Sequence, residues 1–439
     1  MNMKKIYLYI LFVLLAFASC KKDDSGSVFG EKPDERLDKA MQTYSTQLIG
    51  AENGWKAFLY TNGEEAYSFL FNFTASNRVT MFADIDEESA AAPFESSYRL
   101  KAVQKPSILF DTYSYMHLLA DPDPTVIGGV VGSGRFSDFE FAIDSAGSDT
   151  IRLTGNNLGS KLILVRATKA EADAYKAGAL QQMKENADAY ASATPFSFMQ
   201  VNDVKYETII SPGSKMVALA FSENGEDKIL TSAYSYTTYG IHLSQPFQLG
   251  VLTFDELFWD AESAEYYTIS GTNRISVQPS TTPSAPLSAL LGVVYSSIDV
   301  PQGTGTNPLP GTSPLFVDEY NNARIGILNG PYRLTMRTMS FQFDANTNSM
   351  RINLIISQGT ANFAATYDYS YNKSADGVFR FTRLSSNGNA SLITANMNSL
   401  LKYIEGDGFK VDYFDTGSGL LGRLTSQQHT AFYFTGTLN

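Results

Sequence analysis

The chain has 439 residues, 33 basic against 45 acidic side chains, a net charge of −12 at pH 7 and one cysteine. An acidic surface does not track a phosphate backbone, so no nucleic-acid partner is expected, and one cysteine excludes an internal disulfide. Charged residues at 18% and aromatics at 13% describe a folded, sheet-rich chain rather than a disordered one. At roughly 100–200 residues per domain, the length fits two or three domains.

The first segment is an address. Lys4 and Lys5 precede an uncharged apolar run, Ile6 to Phe17, then Ala18, Ser19 and Cys20. A positive start, a short apolar stretch and small residues at the cut make a secretory signal, and the run is too short for a mature transmembrane helix. The cysteine directly behind the small residues makes it a lipoprotein signal. Residues 1–19 are expected to be removed and Cys20 acylated, with chains such as palmitate, as the first mature residue. Each buried methylene contributes roughly 0.8 kcal/mol, so several acyl chains hold a protein on a membrane. Residues 20–32 read as a polar, lipidated tether.

A helix is expected from Asp34 to Ile49, opened by Pro33. Leu37, Met41, Tyr44 and Leu48 recur at helical spacing and Gly50 ends it. The pattern then turns to period two. Phe69, Phe71 and Phe73 alternate, as do Phe139, Phe141 and Ile143, Ile151 and Leu153, and Leu162 and Leu164. This predicts an antiparallel β domain with one wetted face, closing a unit over 33–167. Thr168 with Glu171 has the capping-box form. It starts a helix over 168–194 whose apolar face, Tyr175, Met183 and Tyr190, is thin, so a bridging helix between domains is expected. A second β region follows over 195–278. A Pro/Ser/Thr/Gly-rich loop or linker covers 279–314, and a C-terminal β region with one helix, at about Ile393 to Ile404, covers 315–439. The fold class is thus mainly β with a few helices (α+β): two or three antiparallel β domains, an N-terminal amphipathic helix and a bridging helix. Tyr234-Ser235-Tyr236 and Tyr369-Ser370-Tyr371 each precede a glycine and a strand, which hints at internal duplication or at chance likeness between Tyr-rich hairpins.

Lys22-Asp23-Asp24 behind the cysteine resembles the lipoprotein export signal of Bacteroidetes, which implies display on the outer face of the outer membrane; a solvated charged tether is the alternative. The mature chain resembles a Bacteroidetes lipoprotein family known as domain of unknown function 4302. The residues that carry this are Pro33-Asp34-Glu35-Arg36-Leu37, Gly54-Trp55, Phe94-Glu95-Ser96-Ser97-Tyr98, Leu109-Phe110-Asp111-Thr112-Tyr113 with His117, and Gly134 to Phe141. They span the N-terminal half; the C-terminal half matches by pattern only. The resemblance implies an accessory surface lipoprotein beside outer-membrane nutrient importers of the SusC/SusD type. It implies no catalytic residues.

The chemistry-bearing residues are few. His117, His242 and His429 have no metal-ligand spacing, and the zincin, nucleophile-elbow and P-loop motifs are missing. No metal and no cofactor is expected. Asp111, Tyr113 and His117 form the most distinctive polar cluster. Six residues of strand would hold Asp111 and His117 about 20 Å apart, so they meet only across a turn; the other reading is a hydrogen-bonded strand end. Asp84, Asp86, Glu87 and Glu88 are the densest acidic group, a Ca²⁺ loop or a solvated one. Trp259, Tyr234, Tyr236 and Tyr239 read either as a ligand-stacking platform or as core aromatics. The expected function is non-enzymatic: binding a glycan or peptide nutrient, or an importer partner. The alternatives are a carboxylate-dependent hydrolase of glycan or protein, or a purely structural subunit.

Overall fold

The computed structural model describes residues 33–102, 105–223, 226–417 and 419–439. The signal segment, the tether, Cys20, Lys22, Asp23 and Asp24 lie outside the described residues.

Strands arrive in three runs of eight, and each run closes on itself. In the first, over 55–166, the strand Trp55–Tyr60 pairs antiparallel with Ala66–Phe73 on one side and with the last strand, Lys161–Arg166, on the other. In the second, over 196–280, Phe196–Val201 pairs with both Val204–Ser211 and Asn273–Ser280. In the third, over 297–438, Ser297–Val300 pairs with both Thr335–Asp344 and Tyr433–Leu438. The predominance of strands and the few helices match the sequence-based expectation. The architecture does not: in place of two or three antiparallel sheet domains there are three closed eight-stranded barrels. Closure satisfies the backbone groups that an open sheet leaves on its edges.

The period-two pattern sets which side chains enter each barrel. Phe69, Phe71 and Phe73 point into the first with Trp55, Phe110 and Phe141. Met350, Ile352, Leu354 and Ile356 point into the third. An eight-stranded barrel is just wide enough for its own side chains, and here Phe and Tyr fill it. Phe139 departs from the expected alternation. The strand begins at Glu140, and Phe139 turns outward while Phe141 and Ile143 stay in.

The helices also depart from expectation. The amino-terminal helix runs Pro33–Ile49. Its end is tied to the first barrel by the Trp55 indole, which donates to the Leu48 carbonyl at 3.0 Å. Gly54 before it has φ 80°, and a Cβ there would lie 2.5 Å from the Phe71 carbonyl oxygen. The single helix over 168–194 is two, Lys169–Lys176 and Ala179–Ala193, parted at Gly178, which is left-handed. The capping box of Thr168 and Glu171 is formed. The thin apolar face is not marginal: Tyr175, Met183 and Tyr190 are buried in the core shared with the second barrel. The stretch 279–314 contains a buried helical turn, Leu287–Leu290, and the first strand of the third barrel. The C-terminal region carries two long helices rather than one, Pro314–Leu328 and Gly388–Gly406. The first had a legible start, Ser313 capping Phe316 N with Pro314 at the first turn.

Tyr234-Ser235-Tyr236 and Tyr369-Ser370-Tyr371 occupy the fourth strand of the second and third barrels respectively. The first and third barrels both insert helical structure between their fifth and sixth strands.

The first two barrels meet along a polar seam. Asp84, buried, accepts from Ser68 N at 2.8 Å within the first barrel and from Tyr236 N at 2.7 Å in the second. Lys215 of the second barrel pairs with the same carboxylate at 2.7 Å. Ser68 Oγ donates to the Tyr236 carbonyl, and Leu70 packs into the core of the second barrel. The second and third barrels meet at an apolar cluster of Ala220, Ala285 and Leu290, and Phe196 lies edge-on to Tyr413.

Candidate functional site

The structure brings Asp111, Tyr113 and His117 together at one end of the first barrel. The strand Pro106–Phe110 stops, Asp111 N bonds to the Ser97 carbonyl, and a helical turn, Tyr115–Leu118, follows Ser114. Tyr115, Met116 and Leu119 are buried and hold this turn to the barrel. The turn sets Tyr113 and His117 side by side, with ring centroids 5.7 Å apart and nearly parallel. His117 stacks in turn on Phe139, at 4.7 Å. The result is a three-ring ladder whose outer members are open to solvent: Tyr113 is 54% and Phe139 41% exposed.

Polar groups fix the ladder. Tyr113 Oη donates to Asp121 Oδ2 at 2.5 Å, and burial with this carboxylate pushes its hydroxyl up to about 12. Ser114 Oγ lies 3.1 Å from His117 Nδ1. Partial burial lowers the imidazole below its ordinary 6.5, against the pull of the Phe110 carbonyl and Asp111. The ring is therefore neutral at pH 7. Asp111 is paired with Arg99 at 2.7 Å, so it is not free to act as a base. Phe139 was not singled out as a site residue; its signal was a large apolar side chain one step ahead of the strand.

The second aromatic group does not form a platform. Tyr234 and Tyr236 are buried in the second barrel's core, edge to face at 5.2 Å, and the Tyr234 hydroxyl reaches Tyr236 Oη at 3.0 Å. Tyr239 lies at the seam on Phe258 with its hydroxyl on Glu256 at 2.8 Å. Trp259 is edge-on to Tyr190 and Tyr266 and packs against the core from outside. Period-two spacing put Tyr234 and Tyr236 on one face, and that face is the barrel interior.

The acidic group also divides. Asp84 is the seam carboxylate, and Asp86 caps a helical turn, Glu87–Ala91, through a capping box with Ser89. No cluster of three or more metal-ligating side chains occurs among the described residues. Ser426, Asp407 and His429 assemble, but not as a catalytic triad. Ser426 Oγ donates to Asp407 Oδ2 at 2.6 Å and His429 Nδ1 lies 2.8 Å from the same oxygen. The hydroxyl proton goes to the carboxylate rather than to the imidazole, so no nucleophile–base pair exists. This cluster fastens the end of the helix Gly388–Gly406 to the turn before the last strand.

A hollow of about 260 Å³ lies at the seam, lined by Glu65, Tyr67, Arg135, Lys184, Asp188 and Lys215 among others. Arg135 pairs with Glu65 at 2.8 Å, and Tyr67 Oη donates to the same carboxylate at 2.7 Å. Burial lowers the Lys215 ammonium below its ordinary value despite Asp84, and the ammonium sits 4.2 Å from the Tyr67 ring centroid.

The fold and this rim define a tandem of three closed antiparallel barrels, the first bearing an exposed ring ladder. The family model described as domain of unknown function (DUF4302) matches residues 25–261, and the chain belongs to that family. The match spans the first barrel, the helical bridge and the second barrel as far as Asp260 of its sixth strand. No curated protein matches the chain. Among solved structures, the β subunit of DNA polymerase from Streptococcus pyogenes is 7% identical over 91% of this chain and 98% of that one, with a TM-score of 0.13. A transferrin binding protein B from Neisseria meningitidis is 9% identical over 88% of this chain and 76% of that one, with a TM-score of 0.14. Scores this low establish no common fold, and nothing is taken from them.

Proposed function

We propose that the protein is a lipoprotein of the outer membrane, anchored through Cys20 and facing the medium. It binds a glycan or peptide nutrient, or a partner of a SusC/SusD-like importer, without turnover. The observation that carries the binding part is the Tyr113–His117–Phe139 ladder, since stacked rings with exposed outer faces offer area at little side-chain entropy cost. Support for binding without turnover comes from the carboxylates. Asp84, Asp138, Glu207 and Asp407 are buried and already committed to backbone amides, hydroxyls or an ion pair. The anchor rests on the apolar run ahead of Cys20, and the outward orientation on Lys22-Asp23-Asp24.

Three measurements test this. Cys20→Ala is expected to release the protein from membranes or leave it uncleaved; a variant that is processed and sediments as before removes the anchor. External proteinase on intact cells is expected to degrade the protein, and replacing Lys22, Asp23 and Asp24 by alanine to protect it. Tyr113→Ala and Phe139→Ala are expected to weaken binding of screened glycans and peptides by roughly 2 kcal/mol, the scale of an interface hot spot, with little change in melting temperature. Unchanged binding removes the rim from the proposal, and release of product from any screened substrate overturns the non-enzymatic part.

A further inference from the structure

We infer that the hollow between the first two barrels is a binding site for a small zwitterion, a short α-amino acid being the simplest, held between Lys184 and Asp188. This inference does not rest on the exposed ring ladder.

Size comes first. About 260 Å³ is below the roughly 300–1,000 Å³ of clefts that take drug-sized ligands. It admits a small metabolite and excludes an oligosaccharide or a folded peptide. Location agrees, because ligand sites favour the junction between domains. The walls come from both barrels and from the helix Ala179–Ala193 between them.

Charge selects the ligand. The hollow is lined by three basic residues, Arg135, Lys184 and Lys215, and three acidic ones, Glu64, Glu65 and Asp188. Such a balanced lining suits neither a lone anion nor a lone cation. Lys215 is committed to Asp84 and Glu65 to Arg135, which leaves Lys184 with Glu64 and Asp188, the last two solvent-exposed. Lys184 gives one hydrogen bond, to the Asp84 carbonyl at 3.2 Å, and meets no carboxylate in an ion pair among the described residues. Asp188 likewise has no cation partner among them. The two are one helical turn apart on one face of the helix, close enough to share a small molecule.

Arg135 lines the same hollow. Its guanidinium gives Nη1 to Glu65 and Nη2 to the Ile127 carbonyl, at 2.7 Å, while its buried Nε has no partner. That Nε is shut off from solvent, so it is not offered to a ligand; a carboxylate entering the hollow would be held by the Lys184 ammonium. The ligand ammonium would face Asp188, and the Tyr67 and Tyr236 rings would form the walls.

The test uses the full chain in detergent and saturation-transfer NMR with glycine, L-alanine and L-serine at roughly millimolar concentration. Binding of at least one is expected. L-alaninamide and N-acetyl-L-alanine, each lacking one of the two charges, are expected to bind roughly tenfold more weakly or not at all. Asp188→Asn, nearly isosteric, and Lys184→Met are expected to lose the signal, while Phe139→Ala keeps it. The inference is overturned if none of the three amino acids binds, if the blocked forms bind equally well, or if both seam variants bind as the parent does. Because Phe139→Ala reports on the rim alone, failure here leaves the proposed function standing, and the reverse also holds.

Discussion

Single carboxylates do specific structural work in this chain, and Asp138 shows it best. It is buried and accepts from Asn157 N, Leu158 N, Ser160 N and Ser160 Oγ at 2.6–3.1 Å, closing the turn over 155–160. Asp138→Ala is expected to cost about 3 kcal/mol, because each buried donor left without a partner costs about 1–3 kcal/mol. Gly155 lies against the same side chain: a Cβ there would be 1.9 Å from Asp138 Oδ2. Gly155→Ala should therefore damage the same turn, and the double variant should lose much less than the sum of the two. Denaturant titration of the three variants checks this; simple additivity would separate Gly155 from Asp138. His117 offers a second reading at this scale. Burial holds its folded value below the 6.5 of the free side chain, so the unfolded chain takes up the proton first. Stability contributed by this group is full above about 6.5 and falls as pH drops through that value toward the folded one. Its imidazole resonance is expected to titrate below 6.5 by NMR, and His117→Phe should remove the matching slope in stability. The ladder was half legible in the sequence. Asp111, Tyr113 and His117 were visible as a cluster, but their contact depends on the turn that Ser114 begins and that buried Met116 and Leu119 hold in place.

The strand Ala66–Phe73 shows what a one-dimensional pattern reveals and what it hides. Alternating Phe69, Phe71 and Phe73 mark its inward face correctly. Its other face, Ser68 and Leu70, looked like a wetted surface and instead carries the seam to the second barrel. No local pattern announces that partner, which comes from residues more than a hundred positions away. The same applies to Asp84, which the sequence places in an acidic group, and to Lys215, which no motif marks. Together they are a largely buried ion pair at 2.7 Å. Breaking such a pair from one side leaves an uncompensated charge and typically costs about 3–5 kcal/mol, whereas replacing both partners costs far less. Lys215→Met is thus expected to lower stability strongly, and Asp84→Asn with Lys215→Met to recover part of the loss. If the double variant is no more stable than Lys215→Met, the pair is not what holds these elements together. The helix Pro314–Leu328 was missed for another reason. Its start lay at the edge of a Pro/Gly-rich stretch, and composition outweighed the cap at Ser313 and the buried positions Phe316, Tyr320, Ala323 and Ile327.

At the scale of the whole molecule, strand content was legible and closure was not. Closure is set by one pairing per barrel, such as Trp55 with Arg166, between the ends of a long run. Alternation looks the same in an open sheet and in a barrel, so the pairing of first with last strand is fixed by tertiary packing. Once closed, the barrels have no free edges, and their outer faces are what they join through. The join between the first two is polar, and this gives it a pH dependence. Burial pushes Glu171 up, but hydrogen bonds and charge from Lys56 and Thr168 hold it net below its usual 4.5. Glu256 is also held below that value, chiefly by His242, which itself reaches Tyr60 of the first barrel at 3.2 Å. For both, the folded value lies below the unfolded one, so their stabilisation is full above about 4.5 and is lost as pH falls through the folded values. Other carboxylates held below their usual values, such as Asp260, Glu319 and Asp368, pair with Arg274, Lys402 and Arg351 outside the apolar barrel interiors. Acid is therefore expected to loosen the seam and the helices Lys169–Lys176 and Ala179–Ala193 before the barrels unfold. Hydrogen exchange at pH 3.5 and pH 7, corrected for intrinsic rates, should show protection falling in residues 169–193 while the inward strands, such as Met350 to Ile356, keep theirs. Glu171→Gln should reproduce part of that loosening at pH 7. Uniform loss across all three barrels at acid pH would place the weak point in the barrels themselves and not in the seam.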